Sequence, residues 1–141
     1  MTGRIANRLV PQATVIPELA YQDVGEATDW LCRAFGFIAR LRLADHRAQL
    51  VYGDGAIIVI DGGFRDAASH SVLVRVEDAD AHHDQAVAAG ARIVSPPTDY
   101  PYGERQYTAV DPGGHRWTFS QSIADVDPAD WRGALVSPES E

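Results

Sequence analysis

The sequence predicts an α+β fold of two βαβββ modules, each a curved mixed sheet carrying one helix, set around a shared cavity. Three observations carry this reading. A strand, a capped helix, a glycine stop and three further strands occur twice in the same order, with the cap residues Asp23 and Asp78 lying 55 residues apart. The glycine turns Gly53-Asp54-Gly55 and Asp111-Pro112-Gly113-Gly114 sit at matching places, Gly55 and Gly114 lying 59 residues apart. The chain of 141 residues, 45% apolar and 23% charged, is long enough for one core and too short for two independent ones.

The elements follow in order. Thr14 to Tyr21 reads as a strand whose Pro17 marks an edge or a local irregularity. Asp23 caps a helix with Glu26 three residues on, Ala27, Trp30, Leu31, Ala34 and Phe35 recur at helical spacing, and Gly36 ends it. Phe37 to Leu43, Ala48 to Tyr52 and Ala56 to Asp61 are three strands, the last two joined by the Gly-Asp-Gly hairpin. After a polar connector from Gly62 to Ser69 the pattern restarts: a strand Ser71 to Val76, the cap Asp78, a helix Ala79 to Ala89, and Gly90 as stop. Strands follow at Arg92 to Ser95, ended by Pro96-Pro97, then Arg105 to Val110, and His115 to Gln121. The domain organisation is thus an N-terminal extension (1–13), one domain (14–122) built of modules 14–61 and 71–122, and an acidic C-terminal tail (123–141) in which Trp131 is expected to dock. Neither module can bury a sheet face alone, so they pair within one chain or by exchange between two chains. The open edges and the apolar run Ile57-Ile58-Val59-Ile60 predict a homodimer.

A net charge of −8 leaves no basic footprint for nucleic acid or an anionic membrane, which makes a small molecule the expected partner. No apolar run approaches the roughly 20 residues of a membrane span, and MTGRIANRLVPQA lacks the apolar core of a signal peptide. The cytoplasm is the expected compartment. The single cysteine, Cys32, lies inside the first helical pattern and reads as a buried structural thiol.

The stretches AYQDVGEATDWLCRAFGF, VRVEDADAHHDQAVAAGARIVSPP and YGERQYTAVDPGGHRWTFSQ together resemble the vicinal oxygen chelate superfamily, the group of glyoxalases, bleomycin resistance proteins and extradiol dioxygenases. The likeness runs from about Val15 to Gln121. It implies a glyoxalase/bleomycin-resistance-like fold and, for the enzymes of the group, a divalent metal that chelates two oxygens of the substrate. It also implies metal ligands on the first and last strand of each module. Transferred through the internal repeat, those positions fall on Ile16, Val59, Ser71 and Thr118. Isoleucine and valine cannot ligate a cation, and serine and threonine hydroxyls are poor ligands beside imidazole or carboxylate. Strand alternation sets Glu18, Asp61 and Ser120 on the faces of Ile16, Val59 and Thr118, so Glu18 and Asp61 are the acidic candidates for a displaced metal site or for acid/base work without metal. His82 and His83 diverge by about 100° on a helix and read as a solvated face. His46 and His115 have no visible partner in the sequence.

The last hairpin supplies the expected ligand-binding residues. The inward face of its first strand is either that of Arg105, Tyr107 and Ala109 or that of Gln106 and Thr108. Arg105 offers a planar fork for a carboxylate or phosphate or else pairs with Glu104 or Asp111, Tyr102, Tyr107 and Trp117 offer rigid stacking surface with Trp117 equally suited to the core, and Thr118 and Ser120 stand beside them. The reading is a protein that binds a small aromatic or anionic molecule in an inter-module cavity with no metal or other cofactor. The alternative is a lyase, isomerase or dioxygenase of the superfamily with a displaced metal, or a metal-free catalyst using Glu18 or Asp61.

Overall fold

The computed structural model describes residues 7–62 and 71–131. Module one comprises β1 (Glu18–Tyr21), α1 (Val24–Phe35), β2 (Ile38–Leu43), β3 (Arg47–Tyr52) and β4 (Gly55–Asp61). Module two comprises β5 (Ser71–Arg75), α2 (Ala79–Ala88), β6 (Arg92–Tyr100), β7 (Glu104–Val110) and β8 (Arg116–Ser122). Each forms a four-stranded sheet, in the orders β1-β4-β3-β2 and β5-β8-β7-β6. The pairs β1–β4 and β5–β8 are parallel and the remaining pairs antiparallel, so the two halves share one topology. The sheets are not closed onto each other. Among the described residues no helix is long and apolar enough to cross a membrane.

The helix boundaries follow from local chemistry. The Asp23 carboxylate accepts the Glu26 amide at 2.9 Å, and Gly36 closes α1 in the left-handed region at φ 85° with its N–H on the Cys32 carbonyl. Asp78 does the same for α2 through the Ala81 amide at 3.0 Å. Apolar residues of α1 (Val24, Ala27, Leu31, Ala34, Phe35) face the sheet and are buried. Only Ala79 and Ala86 of α2 are fully buried, and His82 fills the space between them and the first module.

The helix-facing sides of both sheets share one core, with Phe35 at its centre. Its ring lies 4.9 Å from Trp30, 5.5 Å from Trp117 and 4.8 Å from Phe119, and Phe37 lies 5.4 Å from Trp117. Polar links cross the same joint: the Trp30 indole donates to the Ala89 carbonyl at 3.0 Å and Gln85 to the Arg33 carbonyl at 3.2 Å. Because the helices and the joint take one face of each sheet, the opposite faces point away from the core.

Several expectations shift. The first strand is short, Glu18–Tyr21, because Pro17 has no N–H to give and takes part only by accepting the Ile58 amide at 2.9 Å. The sixth strand does not stop at Ser95. It runs to Tyr100 through Pro96-Pro97 with register irregularities at Ile93/Ser95 and Ser95/Thr98, which an edge strand tolerates since one row of its N–H groups has no partner to lose. After β8 the chain is pinned where the Ile123 and Ala124 amides reach the Gly103 carbonyl at 2.8 and 3.3 Å, and a 3-10 turn spans Pro128–Trp131. Gly103, at φ 89°, has no room for a side chain, as a Cβ there would stand 2.5 Å from the Ala124 carbonyl oxygen. The Trp131 side chain, residues 132–141 and most of the connector after Gly62 lie outside the described residues.

Cys32 is half-buried rather than enclosed, and burial pushes its thiol above the ordinary range, only partly offset by the Ala39 backbone and Arg42. Less thiolate is therefore present at neutral pH than in the unfolded chain. Alkylation by iodoacetamide at pH 7.5 is expected to run several-fold slower than in denaturant and to accelerate towards higher pH than the denatured control. Equal rates would show that α1 does not shield the sulfur.

Candidate functional site

The outer face of module two is built by strand alternation. In β8, Trp117 and Phe119 turn into the core while Arg116, Thr118 and Ser120 turn outward. The registers Leu73↔Thr118, Thr108↔Thr118 and Gln106↔Ser120 bring outward residues of β5, β7 and β8 onto one surface. Their polar groups are joined in sequence: the Tyr102 phenol donates to Gln106 Oε1 at 3.0 Å, Gln106 Nε2 donates to Ser120 Oγ at 3.0 Å, and Ser120 Oγ donates to Glu104 Oε1 at 2.5 Å. Such a chain polarises each of its links and holds the side chains in fixed orientations. Bonds from Ser120 and Ser122, with the nearby Arg75 charge, hold the Glu104 carboxyl below its ordinary range. Arg75 donates to Ser122 Oγ at 2.8 Å, and the Thr108 and Thr118 hydroxyls share a bond of 3.0 Å. Leu73 lies on this face, 61% exposed, and the Tyr102 ring stacks on Tyr100 at 5.3 Å.

Of the residues expected at a site, Tyr102, Thr118 and Ser120 lie on this outer face and the others do not. Tyr107 and Trp117 are fully buried, facing the helices, and present no surface to a ligand. The Tyr107 phenol meets His82 Nδ1 at 2.5 Å, and Trp117 donates its indole N–H to Asp111 at 2.9 Å. Arg105 shares their face and lies at the rim towards α2, where it binds both Asp99 oxygens (2.6 and 3.1 Å) and Asp80 at 3.1 Å. Its charge is answered within the chain. The physical reason is parity: Arg105, Tyr107 and Ala109 form one strand face, and the helices cover that one. Sequence reasoning missed Leu73, Arg75, Glu104 and Arg116, which the outward phase of Thr118 carried across the paired registers would have found.

The metal positions implied by the resemblance divide in the same way. Thr118 and Ser71 lie on the outer face, but Val59 is fully buried in the core. The 59-residue offset fails because Gly55 already pairs with Tyr52 inside β4, whereas Gly114 still belongs to the turn before β8. One residue of slip reverses every side chain. The outward residues of β4 are Ala56, Ile58 and Ile60, and none donates to a cation. Glu18 is level with Ile58, while Asp61 is level with Tyr21 on the opposite face, so the two carboxylates do not converge. Glu18 is held by Arg47 at 3.0 Å. Alkyl groups and two hydroxyls, one of them engaged with Thr108, do not make the donor set a divalent cation requires. The described residues contain no group of three His, Cys, Asp or Glu that could hold one.

The histidine pair also changes its reading. His82 is not solvated: Nε2–H donates to the Phe35 carbonyl at 2.8 Å, which leaves Nδ1 to accept from Tyr107. Burial lowers its pKa and favours the neutral imidazole. His115 is buried as well, its Nε2 bound to the Ala20 carbonyl at 2.8 Å, so it fastens the two modules together.

A cleft of about 450 Å³ separates the modules, with Val15, Pro17 and the β3–β4 hairpin contributing from one and Val72, Leu73 and Arg75 from the other. The two repeated modules thus meet around a cleft, and each carries an outward sheet face. Residues 12–119 match the Glyoxalase/Bleomycin resistance protein/Dioxygenase superfamily, and the chain belongs to that family. It is 39% identical to TioX from Micromonospora sp. ML1, covering 77% of this chain and 97% of that one with a TM-score of 0.68. An uncharacterized protein of Mycobacterium bovis is 24% identical over 86% of this chain and 91% of its own. The fold is also that of FosX, a genomically encoded fosfomycin resistance protein of Listeria monocytogenes, at 14% identity, 80% and 95% coverage and a TM-score of 0.67.

Proposed function

We propose that this protein binds a small aromatic or anionic molecule on the outer face of module two, without a metal, as a cytoplasmic homodimer in which a second copy helps to close the cavity. The observation that supports this most is the pre-ordered polar chain from Tyr102 through Gln106 and Ser120 to Glu104, on the same sheet face as Leu73, Arg75 and Arg116. An apolar flank with a few fixed polar groups is the usual make-up of a ligand site. Arg116, exposed and without an ion-pair partner among the described residues, supplies the charge that Arg105 does not. Dimer formation is supported by the four edge strands β1, β2, β5 and β6, each of which has no strand on its outer side among the described residues, and by the exposure of Val15, Ile38 and Leu73.

Titration of benzoate and naphthoate by calorimetry is expected to give saturable binding that a chelator does not alter. Arg116→Ala and Thr118→Val should each weaken it about tenfold, roughly 1.4 kcal/mol, whereas Arg105→Ala should leave it within twofold. Stoichiometric metal in the purified protein, or loss of binding on chelation, would overturn the metal-free reading. Light scattering is expected to give twice the 15.3 kDa chain mass, and a particle of single-chain mass would remove the dimer.

A further inference from the structure

The corresponding outer face of module one is covered. In β3, Ala48 and Leu50 turn into the core and Gln49 turns away from it, yet Gln49 is only 2% exposed. Ala56 and Ile58 are likewise buried without belonging to the core. The N-terminal segment is what meets Gln49. Gln49 Nε2 donates to the Leu9 carbonyl at 2.6 Å, Gln49 Oε1 accepts from Arg40 Nη1 at 2.5 Å, and Arg40 Nη2 donates to the Arg8 carbonyl at 2.7 Å. Pro11 is buried in the same segment. The two donors therefore grip consecutive backbone carbonyls and no side chain of the strap.

That grip is shallow. Leu9 and Val10 are 57% and 46% exposed, so apart from Pro11 the strap buries little apolar surface and its release costs little hydrophobic free energy. The donors beneath it are demanding by contrast, since a buried carboxamide without a partner is costly and needs an occupant. Among the described residues no carboxylate pairs with Arg40, whose contacts are neutral oxygens only. An anionic oxygen in place of the Arg8 carbonyl would give a stronger, charge-assisted bond.

We propose that residues Asn7 to Gln12 are a displaceable strap over a second binding site. There the Arg40–Gln49 pair takes a small molecule carrying a carbonyl and a carboxylate oxygen one peptide unit apart, with an apolar group lying over Ile58. This rests on the reading that the protein binds small organic anions, but it uses a different face and different residues. Hippurate, which joins a carboxylate and an amide carbonyl to a phenyl ring, is the probe. It is titrated into the full chain carrying Thr118→Val, which weakens the module-two face, while amide hydrogen exchange is followed in the strap. Bound hippurate should accelerate exchange at Leu9 and Val10 at least tenfold. Pro11→Gly, which loosens the strap without touching the donors, should tighten binding about fivefold, and Gln49→Leu should abolish it while its circular dichroism stays native. If hippurate binds with strap exchange unchanged, or Pro11→Gly leaves the affinity unaltered, the strap is a fixed part of the fold and the proposal fails. Failure of the Arg116 and Thr118 variants to alter benzoate binding would instead sink the module-two site and leave this one standing.

Discussion

Asp111→Ala is expected to destabilise the protein by about 3–5 kcal/mol, a large share of the 5–15 kcal/mol typical of a domain. This carboxylate, 4% exposed, is the acceptor for four donors from both modules. Oδ1 takes the Gly113 and His115 amides, each at 2.9 Å, which shapes the turn. Oδ2 takes the Tyr21 phenol at 2.5 Å and the Trp117 indole at 2.9 Å, which ties β1 of the first module to β8 of the second. Alanine leaves all four donors unpaired, two of them on side chains with no route to water, and burial already pushes the Tyr21 phenol far above its ordinary range. Asp111→Asn keeps an acceptor for one pair but turns an NH2 towards the other, so its loss should be intermediate. Tyr21→Phe removes a single bond and should cost about 1–2 kcal/mol. Urea unfolding followed by tryptophan fluorescence gives the order, and a loss below 1 kcal/mol for the alanine variant would refute the role of Asp111 as the link between modules. The same packing explains Gly113, where a Cβ would stand 2.5 Å from the Tyr21 ring.

Phe35→Ala is expected to cost about 3–5 kcal/mol, as for other large aromatic truncations in closed cores. The side chain is fully buried among Trp30, His82, Trp117 and Phe119, drawn from both modules. Its carbonyl, which accepts the His82 Nε2–H bond, survives the substitution, so the loss reports packing alone. Phe35→Leu retains most of the volume and should lose no more than about 1.5 kcal/mol. Differential calorimetry on both variants decides it: similar small losses would mean that the joint between modules is held by its polar bonds rather than by this ring.

The repeat, the two capped helices and the glycine turns were legible in the sequence because each is a local decision. Asp23 and Asp78 cap the amides three residues on, Gly36 and Gly90 accept positive φ, and no distant residue alters those preferences. Strand existence was legible too, and so was the pairing of Thr118 and Ser120 on one face. Which face would be outward was not. A period of two says that Arg105 and Tyr107 share a side, but only the position of α2 decides that this side meets His82 and Asp80 rather than a ligand. The same parity placed Val59 in the core once the turn before β4 proved one residue tighter than its counterpart. The covering of Gln49 by Arg8 and Leu9, and the meeting of Tyr21 with Asp111 across 90 residues of chain, join segments with no signal in each other's sequence. Local chemistry fixed the elements, and long-range packing alone chose which of their faces would see solvent.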